Sequence, residues 1–425
     1  MPGLTGAQRF GRALRMAGVD AVYGRPFGDL AVIDVPDAVG DLFALAHSRI
    51  HGVRAAVHAG NGVFRLPGTG GAPAPVTVAA PEAIAPAAFF GDVGVELEAT
   101  FDPDHVATPS PVIPTPVPDG WEEPPPEAVD AMRAAGRITV LAGPGVIRAA
   151  AVPGLHDLAV AGGLGVLNTW GAKGIFHWRS RHHLATIGLQ ADDFALGGLR
   201  DADLILATGL DQLESPDPRW QLAPSLVIDP TALAALAEHA PRRDGAPAMP
   251  PLRAALAAVT QRGWQVERGP LPPSRVTLQY GECVAAGGLV AADAGVAGYW
   301  VARTLGTTRL GGVVVPAHAR AGFAAACVAV ARLHHPHRPA LAVVDPATAA
   351  ETELVRDAAH QLGVHVPIEV WAADGERLDA AAHRARLLEL MRMEEPAPAA
   401  PPTLATDPRQ LDEMVEAAGP VVAWT

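Results

Sequence analysis

A chain of 425 residues has room for two or three domains. With 49% hydrophobic residues it has material for a core in each, which excludes wholesale disorder. The formal net charge of −13, with no basic stripe carrying interleaved aromatics, excludes nucleic acid as a natural partner and argues for solubility. Gly, Pro or charged residues break every apolar run before membrane-spanning length, and residues 1–15 lack the apolar core of a signal peptide. The expectation is therefore a cytoplasmic protein with no membrane partner.

In chain order, residues 6–17 form an amphipathic helix with Phe10 and Leu14 on one face and Gly18 as its stop. VDAVYG (19–24) reads as a short strand. Prolines at 109, 111, 114, 116, 118 and 124–126 exclude helix and central strand, so 116–126 is a linker closing a first block, 1–115. A second block, 127–262, opens with a helix at 127–135 and a strand at 138–143. Further buried strands are expected at 164–167, 204–207 and 226–228. RGPLPPS marks a softer break before a third block, 272–425. This block has strands at 289–292, 313–316, 340–344 and 368–371, helices at 321–333 and 349–362, and a proline-rich linker at 394–403. Continuous apolar strands alternating with helices imply parallel sheets covered on both faces. The fold class expected is α/β: three doubly wound parallel-sheet domains, the outer two shortened.

The chemistry-bearing segments cluster in the second block. LAGPGV (141–146) places a glycine turn between strand and helix, where backbone N–H groups either face a phosphate or simply make a tight turn; Pro144 removes one donor. NTWGAKGIF (168–176), HLATIGLQ (183–190) and DADLILATGLDQLESP (201–216) put further small-residue turns at strand ends, where open α/β sheets bind ligands. Gly143, Gly145, Gly171, Lys173 and Gly209 are the candidate cofactor-binding residues. Cys283 and Cys327 sit in no metal or redox spacing and read as buried apolar residues. His334, His335 and His337 in LHHPHR either bind a metal or decorate a helix end, and the run 177–183 (HWRSRHH) is an anion site or a solvated loop. Ser215 lacks a GxSxG elbow.

The order LAGPGV, TWGAKGIF, TIGLQ, DADLILATGLD resembles the central domain of thiamine-diphosphate enzymes of the acetolactate synthase type, a domain that in the family holds FAD, another nucleotide or nothing. The flanks resemble the same family. Residues 6–28 and 42–62 look like the opening of its pyrimidine-binding domain, and 290–303 and 321–346 like its diphosphate-binding domain. The resemblance implies thiamine diphosphate with magnesium. It also implies a Glu after a His at the end of a strand, to protonate the pyrimidine ring, and a Gly-Asp-Gly…Asn metal motif. Here the first pair is His58-Ala59, so no catalytic residue is assigned. The metal motif is Val344-Asp345-Pro346, with Ala372 or Ala373 at the Asn position; Asp345 and Asp374 remain as candidate ligands. Three functions follow. The first is a catalytically impaired member acting as a non-catalytic subunit or scaffold. The second is an active lyase or carboligase on 2-oxo acids with its acid relocated to Glu82, Glu96 or Glu98. The third is a nucleotide-binding protein using the central domain. Because family active sites form between subunits, the expected partner is a second copy or an intact thiamine-diphosphate enzyme paralogue, with the alanine-rich helix 321–333 suited to close packing.

Overall fold

The structure, a computed structural model, describes residues 3–67, 75–81, 94–106, 125–243, 245–284, 287–392 and 400–424. The linker expected at 116–126 and Glu82 fall almost entirely or entirely outside that set.

Three five-stranded sheets follow one another along the chain. The first unit holds α1 (Gly6–Met16), β1 (Val19–Gly24), α2 (Asp37–His51), β2 (Arg54–Gly60), β3 (Val63–Leu66), β4 (Pro75–Val78) and β5 (Val95–Ala99). Thr5 and Gln8 start α1 with a reciprocal capping box, Gln8 N–H to the Thr5 hydroxyl at 3.0 Å and Thr5 N–H to the Gln8 side chain at 3.2 Å. The sheet order is β1-β2-β3-β5-β4, and it departs from the purely parallel expectation. β1 runs parallel to β2, but β2–β3 and β3–β5 are antiparallel. The cause is local. Asn61 and Gly62 both have positive φ, 50° and 75°, and form a two-residue reversal between Gly60 and Val63. Asn-Gly between alternating apolar residues is the strongest short-range hairpin signal.

The central unit contains α3 (Pro126–Ala134), β6 (Ile138–Ala142), α4 (Gly145–Arg148), α5 (Val152–Gly162), β7 (Gly165–Thr169), β8 (His183–Ile187), α6 (Asp193–Leu196), β9 (Leu204–Thr208), α7 (Asp217–Trp220), β10 (Ser225–Ile228) and α8 (Leu233–His239). Its sheet, β10-β9-β6-β7-β8, is parallel throughout, and β6, β7 and β9 are buried along their whole length. The third unit contains α9 (Pro251–Trp264), α10 (Pro273–Cys283), β11 (Leu289–Ala292), α11 (Val296–Thr304), β12 (Val313–Val314), α12 (Phe323–His334), β13 (Ala340–Val344), α13 (Ala349–Gln361), β14 (Ile368–Glu376), α14 (Ala380–Arg392), β15 (Thr403–Leu404) and α15 (Arg409–Ala418). It is again parallel, in the order β12-β11-β13-β14-β15. α9 crosses the boundary expected at 262: Leu252 joins the central core and Val259 the third.

The units are welded together. The alanine-rich helix α12 is buried from Phe323 to Ala331. It packs on α2 in one core containing Phe43, Ala44 and Cys327. This corrects the expectation that α12 serves association between copies, because its small residues are used within the chain. A second weld is the Arg303–Asp193 ion pair between α11 and α6. Both side chains are fully buried, with contacts of 2.8 and 2.7 Å.

Candidate functional site

Parallel α/β sheets bind ligands where the strand order reverses, beyond the carboxyl ends of the strands. In the central sheet that point lies between β6 and β9, which puts Gly143, Gly145 and Gly209 side by side as the sequence reading requires. Their backbones close on one another. Gly143 N–H donates to the Thr208 carbonyl at 2.9 Å and Gly145 N–H to the Gly209 carbonyl at 2.8 Å. A Cβ on Gly145 would lie 2.6 Å from the Gly209 Cα. These glycines allow two loops to touch, and the Gly143 and Gly145 N–H groups are engaged inside the chain. Gly171 N–H donates to Glu214 at 2.8 Å. Lys173 is buried, and desolvation, with the nearby Arg303 guanidinium, pushes its ammonium down to about 7.

Beside this turn the three units meet around a cavity of about 120 Å³ lined by Arg49 of α2, Pro144, Arg148, Gly171, Pro316 and His318. Two of its arginines are paired within the protein. Arg49 reaches Glu214 at 2.7 Å, and Arg148 reaches Asp211 at 2.6 Å. Glu214, fully buried, also accepts from the Thr169 hydroxyl at 2.6 Å. Burial, with Arg320 and Arg49 nearby, holds His318 below the ordinary imidazole range. The cavity is small beside the roughly 300–1,000 Å³ typical of drug- and cofactor-sized ligand sites. Sequence reading passed over Arg49, Glu214 and Arg148; only the acidic LDQLES segment after β9 hinted at them.

In the third sheet the reversal lies between β11 and β13, and each strand ends in an aspartate at that point. Asp293 accepts from Gly322 N–H (3.0 Å) and Ala324 N–H (2.7 Å), capping α12. Asp345 accepts from Ala297 N–H at 3.3 Å, capping α11. Burial pushes the Asp345 carboxyl up to about 6 and also raises Asp293. Asp374 is exposed on the overhanging end of β14, four residues past Val370, which pairs with Val344. Among the described residues neither Asp345 nor Asp374 belongs to a group of three metal-ligating side chains. The residues do not fit a magnesium diphosphate: one carboxylate is turned inward onto a helix, the second faces solvent, and Pro346 offers no N–H.

At the other end Ala59 stands after His58 on β2. His58 donates through Nδ1 to the Arg25 carbonyl at 2.7 Å and stacks on Phe64. β2 then turns back into β3, so no helix follows. As for a relocated acid, Glu98 faces Val63, which faces Gly60, two strands away. At ~4.8 Å per strand that is about 10 Å, beyond proton-transfer reach. Glu96 lies further along β5, opposite Arg65. Elsewhere, Ser215 donates to the Asp211 carbonyl at 3.2 Å inside the core. In the 177–183 run, His182 is buried against the Leu164 carbonyl while Arg179 lies exposed over Trp178. Both cysteines are free and buried. No helix among the described residues is long and apolar enough to cross a membrane.

Fold and motif order together define a three-unit α/β chain whose central unit is similar to that of thiamine-diphosphate enzymes. Residues 126–236 match the family model described as thiamine pyrophosphate enzyme, central domain. Over 95% of this chain and 99% of the other, the fold matches the X-ray structure of a Mycobacterium smegmatis protein classed as a thiamin diphosphate-dependent enzyme, with a TM-score of 0.68 and 13% identity. No curated protein sequence matches the chain significantly. The central-domain sequence thus agrees with the thiamine-diphosphate part of the resemblance, and the whole chain shares the fold.

Proposed function

We propose that this chain is a catalytically impaired relative of the acetolactate synthase-like thiamine-diphosphate enzymes, acting as a non-catalytic subunit or scaffold. It would associate with a second copy or with an intact paralogue. The observation that carries this reading is the switch point of the third sheet. There Asp293 and Asp345 occupy the N-termini of α12 and α11, the positions where a helix end would otherwise receive an anion. The missing acid at Ala59 supports it independently.

Calorimetry of the full-length protein with thiamine diphosphate and magnesium tests the reading. The expected result is no saturable, magnesium-dependent binding in the micromolar range. A micromolar, magnesium-dependent dissociation constant overturns it in favour of an active lyase or carboligase. The scaffold role is tested by light scattering across a concentration series and by mixing with a purified intact paralogue. A lone monomer under every condition counts against it.

A further inference from the structure

The fold separates the three histidines of LHHPHR and joins one of them to residues far away in sequence. His47 and His51 lie four residues apart on α2, so they share a face of that helix. His334 is the last residue of α12, which packs on α2. One ring nitrogen of each of the three lies within 4.8 Å of one on each of the others. The ring centroids are 4.6, 5.0 and 5.1 Å apart. Asp20 on β1 stands beside the group, its carboxylate 3.2 Å from His47 Nε2. On the opposite side of that ring, Nδ1 lies 3.0 Å from the Tyr23 hydroxyl. His51 Nε2 is buried with no hydrogen-bond partner, an arrangement that native proteins rarely leave uncompensated.

We propose that His47, His51 and His334, with Asp20 as fourth ligand, form a structural site for a divalent transition metal of the zinc class, clamping α2 of the first unit to α12 of the third. Three imidazoles and one carboxylate make a tetrahedral set that suits zinc and excludes the hard, oxygen-seeking cations. With metal–nitrogen bonds of ~2.1 Å, neighbouring ligand nitrogens stand roughly 3.4 Å apart in a tetrahedron. Small ring rotations and a slight approach of the helix ends close the group to that size. Tyr23 supplies the outer contact: the His47 Nδ1–H donates to its hydroxyl and leaves Nε2 to the metal. The proposal is independent of whether the thiamine site functions.

The test uses untagged, full-length protein freed of metal by a chelator and titrated with zinc chloride by calorimetry, with thermal unfolding and cobalt(II) absorption as second readouts. One equivalent should bind, unfolding should shift upward with zinc, and cobalt should give the visible bands of a tetrahedral site. His334→Ala removes an exposed side chain and leaves the core intact; it should weaken binding at least a hundredfold and abolish the thermal shift. His335→Ala, one residue on and outside the group, should change neither. Asp20→Asn should weaken binding and alter the cobalt spectrum. Absence of stoichiometric binding by the unmodified protein, or binding unchanged in His334→Ala, overturns the proposal.

Discussion

Lys173→Met is the substitution that most sharply separates a ligand-binding lysine from a structural one. Lys173 is buried behind the turn that follows β7, and its ammonium is pushed from 10.5 down to about 7 by loss of solvation first and by Arg303 second. The difference of 3.5 units corresponds to roughly 5 kcal/mol at ~1.4 kcal/mol per unit. The folded pKa is depressed, so the unfolded chain holds the proton more tightly. Stability is therefore complete only above the unfolded value and is lost as pH falls towards about 7. Methionine fills similar space without a charge. Linkage between these two pKa values then gives a gain of about 5 kcal/mol at pH 6, shrinking to about 2 kcal/mol at pH 9. Urea unfolding followed by tryptophan fluorescence at the two pH values measures it. A gain that does not vary with pH, or a loss at both values, refutes the reasoning. It would mean that the lysine is ionised beside an anion, and it would restore Lys173 as a ligand contact.

Arg303→Met strands the buried Asp193 carboxylate and should cost about 3–5 kcal/mol; adding Asp193→Asn should recover much of it, as read by calorimetric melting. Gly145→Ala forces a methyl against the Gly209 backbone and should lower stability by about 1–3 kcal/mol, whereas a free phosphate turn would tolerate it. Ala59→Glu should not create acetolactate formation from pyruvate, because the metal end is unchanged; turnover above that of the unmodified protein would reverse the assignment of Asp345.

What was legible in the sequence was whatever depends on local periodicity. The buried strands at 138–142, 204–208, 289–292 and 340–344 are uniform apolar runs because helices cover both faces, and they emerge within a residue or so of where the pattern puts them. The antiparallel pairs of the first sheet have an equally local cause, the Asn61-Gly62 hairpin signal. The glycines lie at the switch point, where they let two backbones touch; sequence cannot tell a glycine that admits a phosphate from one that admits another backbone. The pairs Arg49–Glu214 and Arg148–Asp211, and the grouping of His334 with His47 and His51, depend on how the units dock, and no spacing rule anticipates that.

The docking itself bears on function. A helix that begins at the carboxyl end of a parallel strand leaves N–H groups without partners, and an enzyme of this architecture can leave them for its ligand. This chain supplies the partners from within. Asp293 serves α12, Asp345 serves α11, and the Gly209 carbonyl serves Gly145. Asp193 accepts from Leu189 and Gln190 at 2.8 and 3.0 Å while holding Arg303. Each substitution of an internal acceptor for an external anion removes a reason for the fold to need its cofactor. At the same time α12 is buried from Phe323 to Ala331, packs against α2 and fixes the first unit to the third. On the proposed scaffold reading, a body that stays assembled without a ligand loses little when a ligand site decays.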